Sequence, residues 1–387
     1  VIPFGRVYSL FFISLACSTI VLGSTPAGVA NLPLPSDLAA LLDHQPIWST
    51  SVSVDTVVGH KDNLLLSATD REQSGLLRGS VEVFVLRLGQ DSLEYSFYVQ
   101  GTRTRYVSGK TVNHDATAWV LSEAGYRLSE TLKLSLPITG YYYDQVFDAS
   151  ETELRRDVAE LKVSGVIVAP MIRWAFHPAA WLETQAGGER KLYRDGFNNS
   201  TIRDLALRIG WKWGDRFRVR VAAIERQRKF DERAQYSRAG RELIGTRLNV
   251  REQEQELKFD WILDPAGRWK TSTRVALLRY ADNGSGYFGH ERRQVTQELE
   301  WENERWLFRV GGTAGRIDFE VQTVGVGVDL PARLADDYTA ELRLERRLNS
   351  RWSAFSAYNW ERRRSNDPIA SYRVNEGLLG VRWSWER

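Results

Sequence analysis

Arg208, Lys212, Arg218 and Arg220 fall within a short stretch, Leu205–Ala223, whose alternation puts them on one surface. Successive side chains of a strand point to opposite faces. Leu205, Leu207, Ile209, Trp211 and Trp213 share one face, and Ala206, Arg208, Gly210 and Lys212 share the other. After the break Gly214-Asp215-Arg216, Phe217, Val219, Val221 and Ala223 alternate with Arg218, Arg220 and Ala222. The same parity adds Asp204, Arg226, Glu252, Glu256, Lys258, Asp260, Lys270 and Arg274 to the charged face. Such a face can attract anionic solutes, because low-dielectric walls focus the field of their charges. It can instead be a ladder of ion pairs across strands, each worth roughly 0.2–1 kcal/mol. Counting from the turns sets Asp204 opposite Arg226 and Arg220 opposite Glu256, and the paired ladder is the stronger expectation. Arg208, Lys212 and Arg218 are the least obviously paired. With Arg220, Lys258 and Arg274 they form the candidate solute-contact set.

Other chemistry is poorly supported. His60, His114 and His290 fall in loop positions with Asp62, Asp115 and Asp282 close in sequence. A rim hydrolase would need a nucleophile, a base and an orienting group within hydrogen-bond reach, and no spacing unites these loops. No H-E-x-x-H, C-x-x-C or phosphate-binding glycine motif is present. Asp282-Asn283-Gly284-Ser285-Gly286 lacks the length and terminal Glu of an EF-hand loop and reads as a glycine-rich turn. The expectation is a non-enzyme with no cofactor and no metal.

The elements that would carry the charged face follow a single rhythm. Paired strands are joined by short breaks at Gly89-Gln90-Asp91, Ser129-Glu130, His177-Pro178-Ala179, Gly214-Asp215-Arg216, Asp264–Gly267, Glu302-Asn303-Glu304 and Asn349-Ser350. Longer polar loops alternate with these breaks, and Lys229–Thr246 is the best candidate for a constriction. The pattern gives about sixteen strands, an even number with short periplasmic turns and longer extracellular loops, as in a transmembrane antiparallel β-barrel. Mean hydropathy of −0.37 fits such a barrel, in which lipid-facing and lumen-facing residues alternate. A net charge of +3 on 387 residues offers no broad basic field for nucleic acid.

Tryptophan placement supplies a partly independent argument. Trp174, Trp181, Trp211, Trp213, Trp261, Trp269, Trp301, Trp306, Trp352, Trp383 and Trp385 cluster at the short-turn end, and Trp48 opens the first strand. Trp119 and Trp360 are the exceptions. An indole has an apolar body and a polar N–H and favours the membrane–water interface, so these residues read as a girdle. Tyr106, Tyr142, Tyr193, Tyr280 and Tyr287 would form a second belt toward the longer loops. A soluble sandwich, propeller or solenoid has no reason to gather its tryptophans at one end of every hairpin.

Residues 1–30 read as a signal peptide: Arg6 precedes the apolar core Val7–Gly23, and Gly28-Val29-Ala30 offers small residues for cleavage. The single cysteine, Cys17, lies inside that core; Ser14 disfavours a lipoprotein reading. Residues 31–47, with Pro33, Pro35, Pro46 and a helical-looking SDLAALLD, read as a periplasmic segment, and 48–387 as the barrel.

The last strand, with Leu379, Val381, Trp383 and Trp385 alternating with Gly380, Arg382 and Ser384, resembles the C-terminal strand read by the outer-membrane barrel-assembly machinery. Glu386-Arg387 follow where the pattern usually ends on an aromatic residue. Gly59–Ser67 (GHKDNLLLS) resembles the opening of uncharacterised Gram-negative porin-like barrels, some of which accompany exopolysaccharide export. That resemblance implies an outer-membrane channel or export pore for saccharides or other anionic solutes. Its expected partners are outer-membrane lipid and lipopolysaccharide, the assembly machinery and polysaccharide-export components, with no nucleic acid and an undefined oligomeric state. The alternative is a non-conducting barrel that displays loops or serves assembly, with a rim-active hydrolase behind it.

Overall fold

Alternating sequences of this kind become strands because each buries one face and needs neighbours for its backbone polar groups. The computed structural model describes residues 48–69, 71–87, 92–148, 158–194 and 196–387. The expected leader, the 31–47 segment, the turn Gly89-Gln90-Asp91 and residues 149–157 lie outside the described residues. The strands are β1 (Trp48–Lys61), β2 (Ser74–Arg87), β3 (Leu93–Tyr106), β4 (His114–Arg127), β5 (Leu132–Asp148), β6 (Val158–Val168), β7 (Met171–His177), β8 (Ala180–Tyr193), β9 (Ser200–Trp213) and β10 (Phe217–Phe230). They continue as β11 (Gln235–Tyr236), β12 (Glu242–Leu243), β13 (Asn249–Ile262), β14 (Trp269–Asp282), β15 (His290–Glu302), β16 (Trp306–Thr323), β17 (Ala332–Arg347), β18 (Trp352–Ser365) and β19 (Tyr372–Glu386).

Two features reduce these to sixteen wall strands. β11 and β12 pair only with each other, as a ribbon within a loop. β6 and β7 are two halves of one strand, both paired between β5 and β8 in unchanged register. Pro170 interrupts them because it has no N–H to donate. Its carbonyl still accepts from Ala186 N (3.1 Å), and Ala169 N donates to Pro137 O (3.1 Å). All neighbours are antiparallel and β1 pairs with β19, so the sheet closes. Facing residues followed once round the wall return to β1 about 20 residues displaced, which sets a strand tilt near ~43° and a backbone diameter of roughly 30 Å.

The closing seam is densely bonded. Its register runs from Ser51↔Glu386 to Lys61↔Glu376, and Thr50 and Arg387 exchange two backbone bonds of 2.9 Å. On the inner face the Arg382 guanidinium grips facing Asp55 with two bonds of 2.6 and 2.7 Å. Arg78 of β2 reaches over β1 to Glu376 (2.5 Å), which also accepts from Asn359 (2.8 Å). The GHKDNLLLS motif lies at this seam. Asp62 N donates to Asn375 O (3.1 Å) and Asn375 N donates back to the Asp62 carboxylate (2.7 Å). Fully buried Asn63 donates to Arg373 O (3.1 Å) and Ser67 O (2.9 Å). A Cβ on Gly59 would lie 2.4 Å from Gly377 O, so only glycine fits there.

Outside, the wall is apolar although exposed: Val58, Val81, Val120, Val166, Leu207, Val221, Val275, Val295, Leu342 and Leu379 all point outward. A water-soluble sheet would not strip itself this way, whereas lipid requires it. Of the predicted girdle, Trp174, Trp211, Trp213, Trp261, Trp269, Trp301, Trp306, Trp352, Trp383 and Trp385 take the outward parity near the short turns. Asn303 and Asn349 accept from the backbone N–H of Trp306 (2.8 Å) and Trp352 (3.0 Å) three residues on, so one side-chain turn repeats at two hairpins, and Asp264 closes a longer turn by accepting from Trp269 N (2.8 Å). The Trp269 N–H holds the Asp264 carboxyl below its usual range.

Trp181 departs from the girdle. Leu182 lies opposite Trp174 and takes the outward face, so Trp181, one residue earlier, points inward and is 7% exposed. The tyrosine belt is also corrected: Tyr106, Tyr193 and Tyr280 are buried on the inner face, and Tyr142 is outward. Loop residues cover that inner face near the longer loops. Leu64 and Val112 pack with Val57, Leu76, Tyr106, Phe355 and Leu378. Arg233 lies over Phe230 (5.2 Å) and Phe288 (4.7 Å), which lays the start of the Lys229–Thr246 loop against interior-facing Phe230.

Arg382→Met should destabilise the barrel by about 3 kcal/mol, since it strands Asp55 without its partner. Asp55→Asn with Arg382→Gln should cost less. Urea midpoints in lipid vesicles measure both, and an unchanged midpoint for Arg382→Met would refute the role of the pair.

Candidate functional site: the lumenal wall

Inward parity on β7 to β17 builds a wall of charge. Arg208 bonds Glu183 (3.0 Å) and Gln185 (2.8 Å). Arg220 bonds Glu256 (2.9 Å), which also takes Arg274 (2.5 Å). Arg274 continues to Glu254 (2.5 Å), and Glu254 takes Arg226 (3.0 Å). Lys258 pairs with Asp260 (3.2 Å), and Glu300 takes Lys270 (3.2 Å) and Arg309 (2.6 Å). Most of the wall is therefore the expected ladder, with alternating charges neutralising one another in a partly dry interior.

The register refines two expectations. Asp204 does face Arg226, but its carboxylate accepts from Gln185 (3.2 Å). Arg220 faces Lys258 rather than Glu256, and its ion pair with Glu256 is diagonal. Arg208, among the residues less obviously paired by sequence, is paired. Lys212 and Arg218 are different. They face each other directly across the β9–β10 ladder, both exposed, and neither makes an ion pair among the described residues. Asp260 faces Arg218 from β13 but is held by Lys258 and by Ser272 (2.9 Å). Like charges set opposite on a sheet repel. The facing pairs Arg220/Lys258 and Arg309/Arg343 are relieved by Glu256, Asp260, Glu300 and Glu345; Lys212/Arg218 is not.

Several lining residues escape sequence reasoning. Arg173 lies over the Trp181 ring (4.7 Å) and 3.8 Å from Glu183; the Pro170 break and a register shift before His177 hide its parity. Trp119, half-buried, meets Tyr141 (5.4 Å) and Tyr143 (5.2 Å, edge-on) on the inner face. Glu298 and Glu341 point inward from β15 and β17 with no ion pair among the described residues. Glycines make room for the largest rings. Trp181 lies over facing Gly210 and Tyr141 over facing Gly165, where an added Cβ would sit 1.9 and 2.3 Å from the ring.

The loop histidines are not brought together. His60 is exposed on β1, and His114 on β4 is 3.4 Å from Asp144. His290 is buried on β15, stacked 4.8 Å from Tyr280. Asp62 is held in the seam, and Asp115 accepts from Tyr106 (2.5 Å). Asp282 accepts the backbone N–H groups of Gly284 (2.8 Å), Gly286 (3.0 Å) and Phe288 (2.8 Å), the turn chemistry expected of DNGSG.

No family model and no curated protein matches the chain. Solved structures that resemble it are outer-membrane barrels. OccAB4 of Acinetobacter baumannii is 9% identical with a TM-score of 0.48, covering 89% of this chain and 100% of its own. OprD of Pseudomonas aeruginosa is 10% identical with a TM-score of 0.46, covering 88% and 94%. A bacterial polysaccharide outer-membrane secretin is 9% identical with a TM-score of 0.41, covering 88% and 98%. What this chain does must be read from its own wall.

Gly210→Ala should cost about 1–3 kcal/mol by driving a methyl into the Trp181 ring. Adding Trp181→Ala should make the double variant less destabilised than the two single costs combined, as urea unfolding would measure. Strict additivity would argue against this packing.

Proposed function

We propose that the chain is an outer-membrane, porin-like channel with no catalytic role, in which anionic solutes pass along the β9–β10 wall. The observation that carries this reading is the facing pair Lys212/Arg218, two exposed lumenal cations that make no ion pair among the described residues. Arg173, whose surroundings include Arg218 and Arg220, extends the basic arc. A channel wall concentrates counter-ions where its charge is not already paired. Glu298 and Glu341 supply unpaired negative charge on another sector, so cations would follow a different side of the lumen.

Within this reading, the favoured cargo is an acidic saccharide. Its carboxylates suit Lys212 and Arg218. The apolar face of a sugar ring suits the half-buried indole of Trp119, which offers a flat amphipathic surface. Passage outward through an export assembly, or inward as nutrient, is compatible with the same lining. The non-conducting alternative draws on Leu64, Val112 and Arg233, whose packing covers the inner wall near the longer loops.

Planar-bilayer recordings decide between the two readings. The proposal expects discrete openings and anion preference. Lys212→Gln with Arg218→Gln should lower the anion-to-cation permeability ratio roughly two- to threefold at 0.1 M salt and have little effect at 1 M, where screening acts within ~3 Å. Glu298→Gln with Glu341→Gln should raise the ratio. A uronic-acid oligosaccharide should block current more strongly than its neutral counterpart. Absence of openings would reject the channel, and an unchanged ratio in the Lys212/Arg218 variant would reject the path.

A further inference from the structure

The outer face of the wall contains a second unrelieved basic pair. Arg362 of β18 and Arg373 of β19 stand directly opposite each other in the ladder, and both are exposed. Their parity is outward, shared with Tyr358, Leu379 and Val381 of the apolar surface below them. Neither makes an ion pair among the described residues; Arg373 donates only to the neutral amide of Asn375 (3.3 Å). Arg364, exposed two residues beyond Arg362, adds a third outward guanidinium, facing Asp336. The facing outward pair Arg293/Arg316 makes the contrast: Glu291 (3.5 Å) and Asp318 (3.1 Å) relieve it.

Two guanidiniums opposed without an ion pair repel, unless an anion sits between them. A phosphate meets that need, because each planar fork can present two parallel N–H groups to its oxygens. The location selects which phosphate. The pair lies toward the longer loops, above outward Trp360 and Asn375 and, farther down the same face, Tyr358 and Leu379, at the level where an acyl chain on the apolar wall would end in its headgroup. Trp360, outward on the same strand and opposite Asn375, supplies an interfacial indole beside the pair. This explains why Trp360 stands apart from the girdle at the other end of the wall.

The geometry points to a site on the outer face of β18 and β19 where Arg362, Arg373 and Arg364 bind the phosphate of a membrane glycolipid headgroup. The acyl chains of that lipid would lie on the apolar wall below. The inference rests on the membrane reading but not on conduction.

The test uses the full chain, purified in detergent and offered diphosphoryl lipid A or zwitterionic phosphatidylcholine as probes, with retained lipid read by native mass spectrometry. Lipid A should be retained preferentially. Arg362→Gln with Arg373→Gln should cut its retention several-fold, and Arg364→Gln alone should cut it less. Arg203→Gln, an exposed outward arginine on β9 that faces no basic residue, should leave it unchanged. Excess inorganic phosphate should not displace the lipid. Equal retention by the double variant, or full displacement by phosphate, would overturn the site. A chain that folds in detergent but never inserts into vesicles would overturn the membrane reading and this proposal together, whereas insertion without lipid A preference overturns the proposal alone.

Discussion

A sheet immersed in lipid cannot leave an edge, because unpaired N–H and C=O groups have no water to turn to. The β1–β19 seam is where this chain meets that demand, and the other wall strands depend on it. It joins the two ends of the described barrel, the most distant residues in sequence, so its loop-closure cost is the largest in the fold. The seam compensates with a bidentate Asp55–Arg382 pair, an Arg78–Glu376 bridge across an intervening strand and a backbone clasp at Asp62 and Asn63. Gly59 lets the two strands approach without a side chain in the way.

Closure also turns alternation into compartments. Once the sheet is a cylinder, odd and even positions are inside or outside, and a charge is either lumenal or interfacial. Inside, the wall follows a rule of neutralisation: Arg220, Arg274 and Arg226 are threaded together by Glu256 and Glu254. Departures from that rule are then informative. Lys212/Arg218 inside and Arg362/Arg373 outside are facing cations that make no ion pair among the described residues, and they stand on opposite faces of the wall. The inner pair faces the lumen near the short turns, and the outer pair stands on the outer surface toward the longer loops.

Much of this was legible along the chain. Strand number, alternating loop lengths and the outward girdle depend on local periodicity and turn chemistry, which sequence carries directly. Parity is lost to sequence where the chain passes through an irregular turn. Trp181 was expected beside Trp174 on the lipid face, but the hairpin register places Leu182 there instead. The height of Tyr106, Tyr193 and Tyr280 along the wall is readable from the turns, while their face depends on strand parity, which turns them inward. Arg220 and Glu256 do pair, but two residues off the facing register, because long side chains reach diagonally across a ladder.

Sequence alone therefore determined the class of object: an even-stranded, two-faced barrel with an aromatic rim, because a period of two and short turns are local properties. Only tertiary structure decided which charges remain unsatisfied. Arg208 and Lys212 lie on the same face of the same strand and look alike in sequence. Yet Glu183 on the neighbouring β8 neutralises the first, and Arg218 on β10 confronts the second. Whether a charge is spent or available depends on its cross-strand neighbours, and those are set by register and closure rather than by the strand that bears it.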